Sequence, residues 1–324
     1  MKYEEHINKG IDFLYQSQNS EGSFPDCVYL IEKGCWVEAK PTVFSTSLIA
    51  HSIAEIIKQK NLLNEDAYNK CILMRKKFFD FFIKEMAMPG LWKFGIGEDD
   101  NWGKLPCDVD DTCCVSFLLK DYHPYIRFGL NKSLILKNRN KEGLFKTWFL
   151  SSPVAEMNPV DSVVNVNALL YLGELDSTAN VTHYLCGLIN NNNEEGSFYY
   201  YIDALCLYFM MSRAYSAGVK GLMECSEVLE RKIIKKEAEI NNELFTAAAI
   251  ISLINFGIGG EFDFDIKIKS ISDRQKKDGG WLRYPFYQGE EYPKPAGVQF
   301  GSECITTAFC AEAILKYLNS NNKQ

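Results

Sequence analysis

Two kinds of helical pattern alternate along the chain. One kind carries a single apolar stripe on a polar background, over roughly 3–18, 66–86, 122–137, 177–191, 217–237 and 264–276. The other is apolar on nearly every side, over roughly 42–58, 108–120, 161–173, 200–214, 242–256 and 303–318. TVFSTSLIAHSI, PVDSVVNVNALLYL and ELFTAAAIISLINF are of this second kind. A helix with one stripe lies outside a core, whereas one that is apolar all round is buried on both faces. Six of each in alternation predict an all-α fold, a closed (α/α)6 barrel of six outer and six inner helices. One such domain accounts for residues 1–324. An open solenoid of helical hairpins is the rival, but it uses more uniform repeats and polar caps.

A short kernel recurs between the patterns. The chain opens Lys9-Gly10-x-x-Phe13-Leu14-x-x-x-Gln18-x-x-x-Gly22-x-Phe24 and repeats the second half as Gln275-x-x-x-Gly279-x-Trp281. Gly-x-aromatic alone closes Gly90-Leu91-Trp92, Gly143-Leu144-Phe145 and Gly196-Ser197-Phe198. The kernel glycines are 68, 53, 53 and 83 residues apart, a spacing that marks a repeat architecture. Segments 22–41 and 279–302 are rich in Gly, Pro and Tyr and read as loops over one rim.

Polar residues gather where the apolar helices start. Thr42, Ser45 and Thr46 open one; Asp108, Asp110 and Asp111 the next; then Asp161, Ser162 and Asn165; Tyr200 and Asp203; Glu243 and Thr246; and Ser302, Glu303, Thr306 and Thr307. Helix capping explains any one of them, because Ser, Thr and Asp satisfy the free N–H groups of a first turn. Together they would form a polar mouth over an apolar cavity, which suits a greasy substrate with one polar end.

The sharpest local feature is Pro106-Cys107-Asp108-Val109-Asp110-Asp111-Thr112. One carboxylate can cap a helix; three exceed that need. Close carboxylates suppress one another's ionisation, so one can stay protonated at neutral pH and serve as a general acid against an apolar cavity. The same residues could instead hold Mg²⁺ or Ca²⁺, with a diphosphate.

DVDDT at 108–112 is similar to the Asp-x-Asp-Asp signature of class II terpene cyclases, the squalene–hopene cyclases among them. The Gln-x-x-x-Gly-x-aromatic runs resemble that family's QW repeats, with Phe24 standing where Trp is usual. The resemblance implies an acid at an inner-helix start of an α/α barrel. Asp110 would donate a proton to a terminal alkene or epoxide, with Asp108 and Asp111 flanking and tuning it and Thr112 anchoring the helix start. Cation-driven ring closure of an isoprenoid and a final proton loss would follow, with aromatic side chains stabilising the cations. Protonation of this kind requires no cofactor; Mg²⁺ enters if the substrate is a diphosphate. Thr112, Asp161, Asn165, Asp203 and Glu303 are the candidate substrate-binding residues. Typical members place the cavity between two α/α domains, and this chain has room for one. The resemblance therefore leaves open a self-sufficient barrel, a homodimer or partner domain completing the cavity, and peripheral membrane contact.

Composition narrows the classes. The chain has 324 residues, 47% of them hydrophobic, and a formal net charge of -7. It can bury a sizeable core and lacks the basic field of a general nucleic-acid binder. The start has no apolar signal-like run, and 11 Cys occur without any CxxC. Reduced thiols in a cytoplasmic protein are the expectation. A non-catalytic scaffold for an isoprenoid or other hydrophobic ligand is one alternative and would have its centre filled by side chains. A glycan-active (α/α)6 enzyme is another. It would use paired carboxylates across an open groove, with Glu98, Asp99 and Asp100 beside Trp102 as candidates. Zinc prenyl transfer needs a His on the last inner helix. GSECITTAFCAEAIL has none, and a set from Cys107, Asp108 and His51 is the only zinc arrangement in view.

Overall fold

Each apolar stretch begins on a short polar side chain that accepts a first-turn N–H. Thr42 accepts from Ser45 N, Asp108 from Asp111 N, Asp161 from Val163 N and Val164 N, Asp203 from Leu205 N, Asn242 from Phe245 N and Ser302 from Ile305 N. A cap of this kind is worth ~1 kcal/mol. The computed structural model describes residues 3–97, 102–123, 128–150, 158–291 and 294–321. In it the capped stretches are the second members of six helix pairs. The pairs are α1 (Glu4–Ser17) with α2 (Val43–Lys58), α3 (Glu65–Lys84) with α4 (Val109–Leu119), and α5 (Phe128–Lys137) with α6 (Ser162–Leu172). Then come α7 (Ala179–Asn190) with α8 (Ala204–Ser216), α9 (Ser226–Ile240) with α10 (Glu243–Phe256), and α11 (Phe264–Asp273) with α12 (Glu303–Asn321).

The even-numbered helices pack each on the next, and α12 packs back on α2, which closes the ring. Burial follows the patterning: α6 is buried at every position, whereas α9 buries only Ser226, Leu229, Ile233 and Glu237, one face at helical spacing. The fold is therefore the expected barrel, six helices out and six in. All six inner helices start at the same end, because each is reached through an outer helix running the other way.

The kernels tie neighbouring repeats together. Gln18 Nε2 donates to Gly22 O at 2.9 Å and to Met74 O on α3 at 3.1 Å. Gln275 Nε2 repeats this with Gly279 O at 2.8 Å and His6 O on α1 at 2.9 Å. The plugs are also held alike: the indole N–H of Trp92 donates to Phe82 O and that of Trp281 to Ile271 O, at 2.7 and 2.6 Å. Gly22 has φ 104°, and a Cβ there would lie 2.0 Å from Lys77 O; at Gly279, φ is 93° and the approach to Lys9 O is 2.3 Å. Only glycine meets both demands.

The two segments expected as rim loops fold differently. They form a four-stranded antiparallel sheet of β1 (Asp26–Leu30), β2 (Cys35–Ala39), β3 (Tyr287–Glu291) and β4 (Lys294–Gly301), in the order β2-β1-β4-β3. Cys27 pairs with Gly301 and Val28 with Phe300, so strands from both ends of the chain satisfy one another's backbone groups. The sheet adjoins the starts of α2 and α12. Just before β3, Phe286 inserts into the barrel with no exposed surface, against Tyr201, Phe209, Phe245 and Phe309. Among the described residues no helix is long and apolar enough to cross a membrane.

Candidate active site

The first turn of α4 delivers the acidic cluster to the mouth. Asp108 Oδ1 turns back to cap Asp111 N at 2.7 Å. Asp110 points away from that cap. Its Oδ1 accepts from Asn167 Nδ2 of α6 at 2.5 Å and its Oδ2 from the Tyr201 hydroxyl at 2.7 Å. All three carboxyls line one cavity with Phe44, Phe94, Trp102, Trp148, Tyr200, Tyr201 and Tyr287. It holds about 590 Å³ of empty space, counted out to its mouth. That figure includes open solvent at the mouth; the lining is a mainly apolar wall with few polar groups.

Charge at this place is costly. Asp110 is 8% exposed, and burial, then the charge of Asp108, push its carboxyl up to about 8. The hydrogen bonds from Asn167 and Tyr201 oppose the rise without cancelling it. The helix N-terminus opposes it too, by ~1 kcal/mol or less, under one pH unit. Desolvation wins, and Asp110 is a neutral acid at pH 7. Burial raises Asp108 to about 6, a hydrogen bond from Asp111 holding it down. Burial and then the charge of Asp108 lift Asp111 well above the usual carboxylate range. Asp108 is thus the first of the three to ionise, and its charge helps keep the other two protonated.

The resulting geometry is a carboxylic acid facing an aromatic-lined pocket. Solved structures of known proteins share the barrel fold, although no family model and no curated protein matches the sequence. The type II terpene cyclase MstE from Scytonema superposes with a TM-score of 0.68 at 14% identity, over 97% of this chain and 98% of that one. The two chains share a fold. A protein from Actinoplanes matches with a TM-score of 0.65 at 16% identity, over 97% of this chain and 99% of that one. A variant of MstE in complex with geranylgeranyl dihydroxybenzoate, its substrate, matches with a TM-score of 0.64 at 14% identity, over 96% of both chains. Each pair of chains spans almost the whole of the other, so the MstE chain is itself of one-barrel size.

The sequence-derived candidates divide between two locations. Asp108, Asp110 and Asp111 come together in the cavity; Thr112, Asp161, Asn165, Asp203 and Glu303 do not line it. Thr112 and Asn165 face the kernels, accepting from Trp92 N at 3.0 Å and Phe145 N at 2.8 Å. Asp161 Oδ1 caps α6, and its Oδ2 accepts from Tyr199 N at 2.6 Å and Tyr200 N at 3.3 Å. Asp203 caps α8 and pairs with Lys236 at 3.1 Å. Glu303 pairs with Lys276 at 2.8 Å in a separate groove. Their oxygens are taken by backbone groups and lysines, which is why they are unavailable at the cavity.

The zinc set does not assemble either. His51 is stacked on Phe117 at 5.3 Å in another recess, with Arg213 and Glu312. Glu98, Asp99 and Asp100 lie outside the described residues. Among the described residues no group of three or more His, Cys, Asp or Glu side chains is placed to hold a metal ion. In the acidic cluster, one oxygen of Asp108 caps its own helix and both oxygens of Asp110 accept from side chains, while Asp108 Oδ2 and Asp111 Oδ1 have no hydrogen-bond partner.

The sequence reading missed Asn167 and Tyr201, which bond Asp110, and Tyr287, which lines the cavity. Asn167 carried a signal: it is a second amide in an otherwise apolar inner helix, about 200° around from Asn165 by helical geometry. The two therefore serve opposite sides, Asn165 the kernel and Asn167 the Asp110 carboxyl.

Proposed function

We propose that the chain is a class II terpene cyclase-like enzyme in which the Asp110 carboxyl protonates a terminal alkene or epoxide of an isoprenoid. The observation that carries this reading is a buried carboxyl, pushed up to about 8 by burial and the charge of Asp108, presented to a cavity walled by Phe44, Phe94, Trp102, Trp148, Tyr200 and Tyr201. Protonation breaks the Asp110 O–H bond; on an alkene a C–H bond forms from the π electrons, and on an epoxide an O–H bond forms as the C–O bond breaks, leaving a tertiary carbocation in each case. Internal alkenes then attack it in turn. Aromatic faces around the cavity stabilise the positive charge, and the dry wall keeps water from quenching it. Asn167 and Tyr201 hold the acid in place. Asp108 and Asp111 tune it. A single barrel using its own cavity is supported by the size of the MstE chain.

Substrates of the kind bound to the MstE variant, a twenty-carbon prenyl chain on a polar ring, fit an apolar pocket with a polar mouth. The test is incubation with geranylgeranyl dihydroxybenzoate, farnesyl and geranylgeranyl diphosphates and squalene, followed by mass analysis of the products. A cyclic isomer of one probe is expected from the wild type and none from folded Asp110→Asn. Full activity in that variant would sink the proposal. A hydrophobic-ligand scaffold is favoured by one observation: the barrel axis beside the cavity is filled by Phe209, Phe286 and Phe309. On that reading the wild type and Asp110→Asn bind the same prenyl probe and neither converts it.

A further inference from the structure

A second phenol–carboxyl pair faces the same cavity beside the first. Tyr287 bridges Tyr201 through the backbone, and its ring is fixed by stacking on Phe300 at 5.1 Å and by the edge of Phe44 at 5.0 Å. Its hydroxyl donates to Asp26 Oδ2 at 2.6 Å. Asp26 is 2% exposed and does not line the cavity. On its other side it borders the groove that contains Cys27, Arg283 and Glu303. Tyr287 and Asp26 thus form a thin wall between the cavity and a second opening.

The two pairs have different electrostatic surroundings. Asp110 has the ionisable Asp108 beside it, and that charge favours the neutral acid. Asp26 accepts from Tyr287, from Thr42 Oγ1 at 3.2 Å and from Cys27 N at 2.9 Å. These donors favour the anion and work against the burial that raises Asp26 above the usual carboxylate range. The pairs differ in that Asp110 has a like charge beside it, whereas Asp26 has three donors and a groove on its far side through which a proton could leave.

We propose that Tyr287 is the base that ends the cyclisation, relaying the proton to Asp26 and from there to the groove. This rests on the cyclase reading above. In the step, a C–H bond next to the last carbocation breaks and its electron pair becomes the new C=C bond. The proton goes to Tyr287 Oη as the phenolic proton moves to Asp26 Oδ2. Asp26 then loses it to water in the groove, and Asp110 is reprotonated from solvent, so the net reaction is an isomerisation. Tyr287 is the catalytic residue here, and Asp26 acts through it as a positioning residue.

The experiment compares wild type, Tyr287→Phe, Asp26→Asn and the double variant on geranylgeranyl dihydroxybenzoate and geranylgeranyl diphosphate, with product profiles by mass spectrometry and folding checked by thermal melting. Tyr287→Phe keeps the stacked ring and so guards against a folding failure in Asp26→Asn. Without the relay, the share of the wild-type alkene should fall roughly tenfold in favour of isomeric alkenes and water-quenched alcohols. The double variant should match the single ones, because the two residues act in series; a purely structural role would instead change yield with the product ratio intact. An unchanged alkene share in folded Tyr287→Phe overturns the relay and leaves the cyclase reading standing. Absence of any cyclic product from the wild type overturns both.

Discussion

At the residue scale, the account turns on one proton. Asp110 must be protonated to act, and its carboxyl is pushed up to about 8 by burial and by Asp108. Turnover should therefore hold through neutrality and fall as pH rises through about 8, which a pH–rate profile of kcat/KM reads directly. The same shift has a stability consequence. The folded pKa lies above the unfolded value of about 4. The stability associated with the neutral acid is full below pH 4 and is lost as pH rises towards 8, because unfolding lets the group ionise. Asp110→Asn removes this penalty while keeping one acceptor and one donor. It should melt higher than wild type at pH 8, with the gap closing as pH falls to 4. The carboxylate cluster itself was legible in the sequence, since three carboxylates at a helix start exceed what capping uses. Its partners were not, because Asn167 and Tyr201 lie 57 and 91 residues away and only the ring closure brings them near.

At the element scale, the barrel is held by repeated small devices. Thr112 and Thr307 accept from the N–H groups of Trp92 and Trp281 at 3.0 and 3.1 Å, joining each kernel to an inner helix. Gln18 and Gln275 join each kernel to the next outer helix. Gly22→Ala forces a Cβ to within 2.0 Å of Lys77 O at φ 104° and should cost about 3 kcal/mol or more by denaturant unfolding. Gly129→Ala, in α5 with nothing within 4 Å, should be neutral or stabilising by up to ~1 kcal/mol. The helices were readable because inner ones are apolar all round and outer ones are not. The sheet was not, because 22–41 and 279–302 have turn-like composition and find their partners only across the whole chain. That omission mattered: β3 supplies Tyr287 to the cavity and β1 supplies Asp26 behind it.

At the scale of the molecule, six inner helices place their starts at one end, and one start carries more carboxylates than capping requires. The mouth caps that looked like substrate contacts are spent on structure, as Asp161 shows with both oxygens on backbone N–H groups. What distinguishes the cavity is the acid and its aromatic wall. The proposed proton transfer starts from the Asp110 carboxyl itself and calls for no metal. Excess chelator should leave conversion of a diphosphate-free prenyl substrate within about twofold of untreated enzyme, measured by product formation. The central claim is that a solvent-exchangeable carboxyl proton starts the reaction. It is tested most directly by converting geranylgeranyl dihydroxybenzoate in D₂O and weighing the product. A cyclic isomer carrying one deuterium at the initiating carbon, and absent with Asp110→Asn, is the predicted result. An unlabelled cyclic product, or labelled product formed equally by Asp110→Asn, would contradict it.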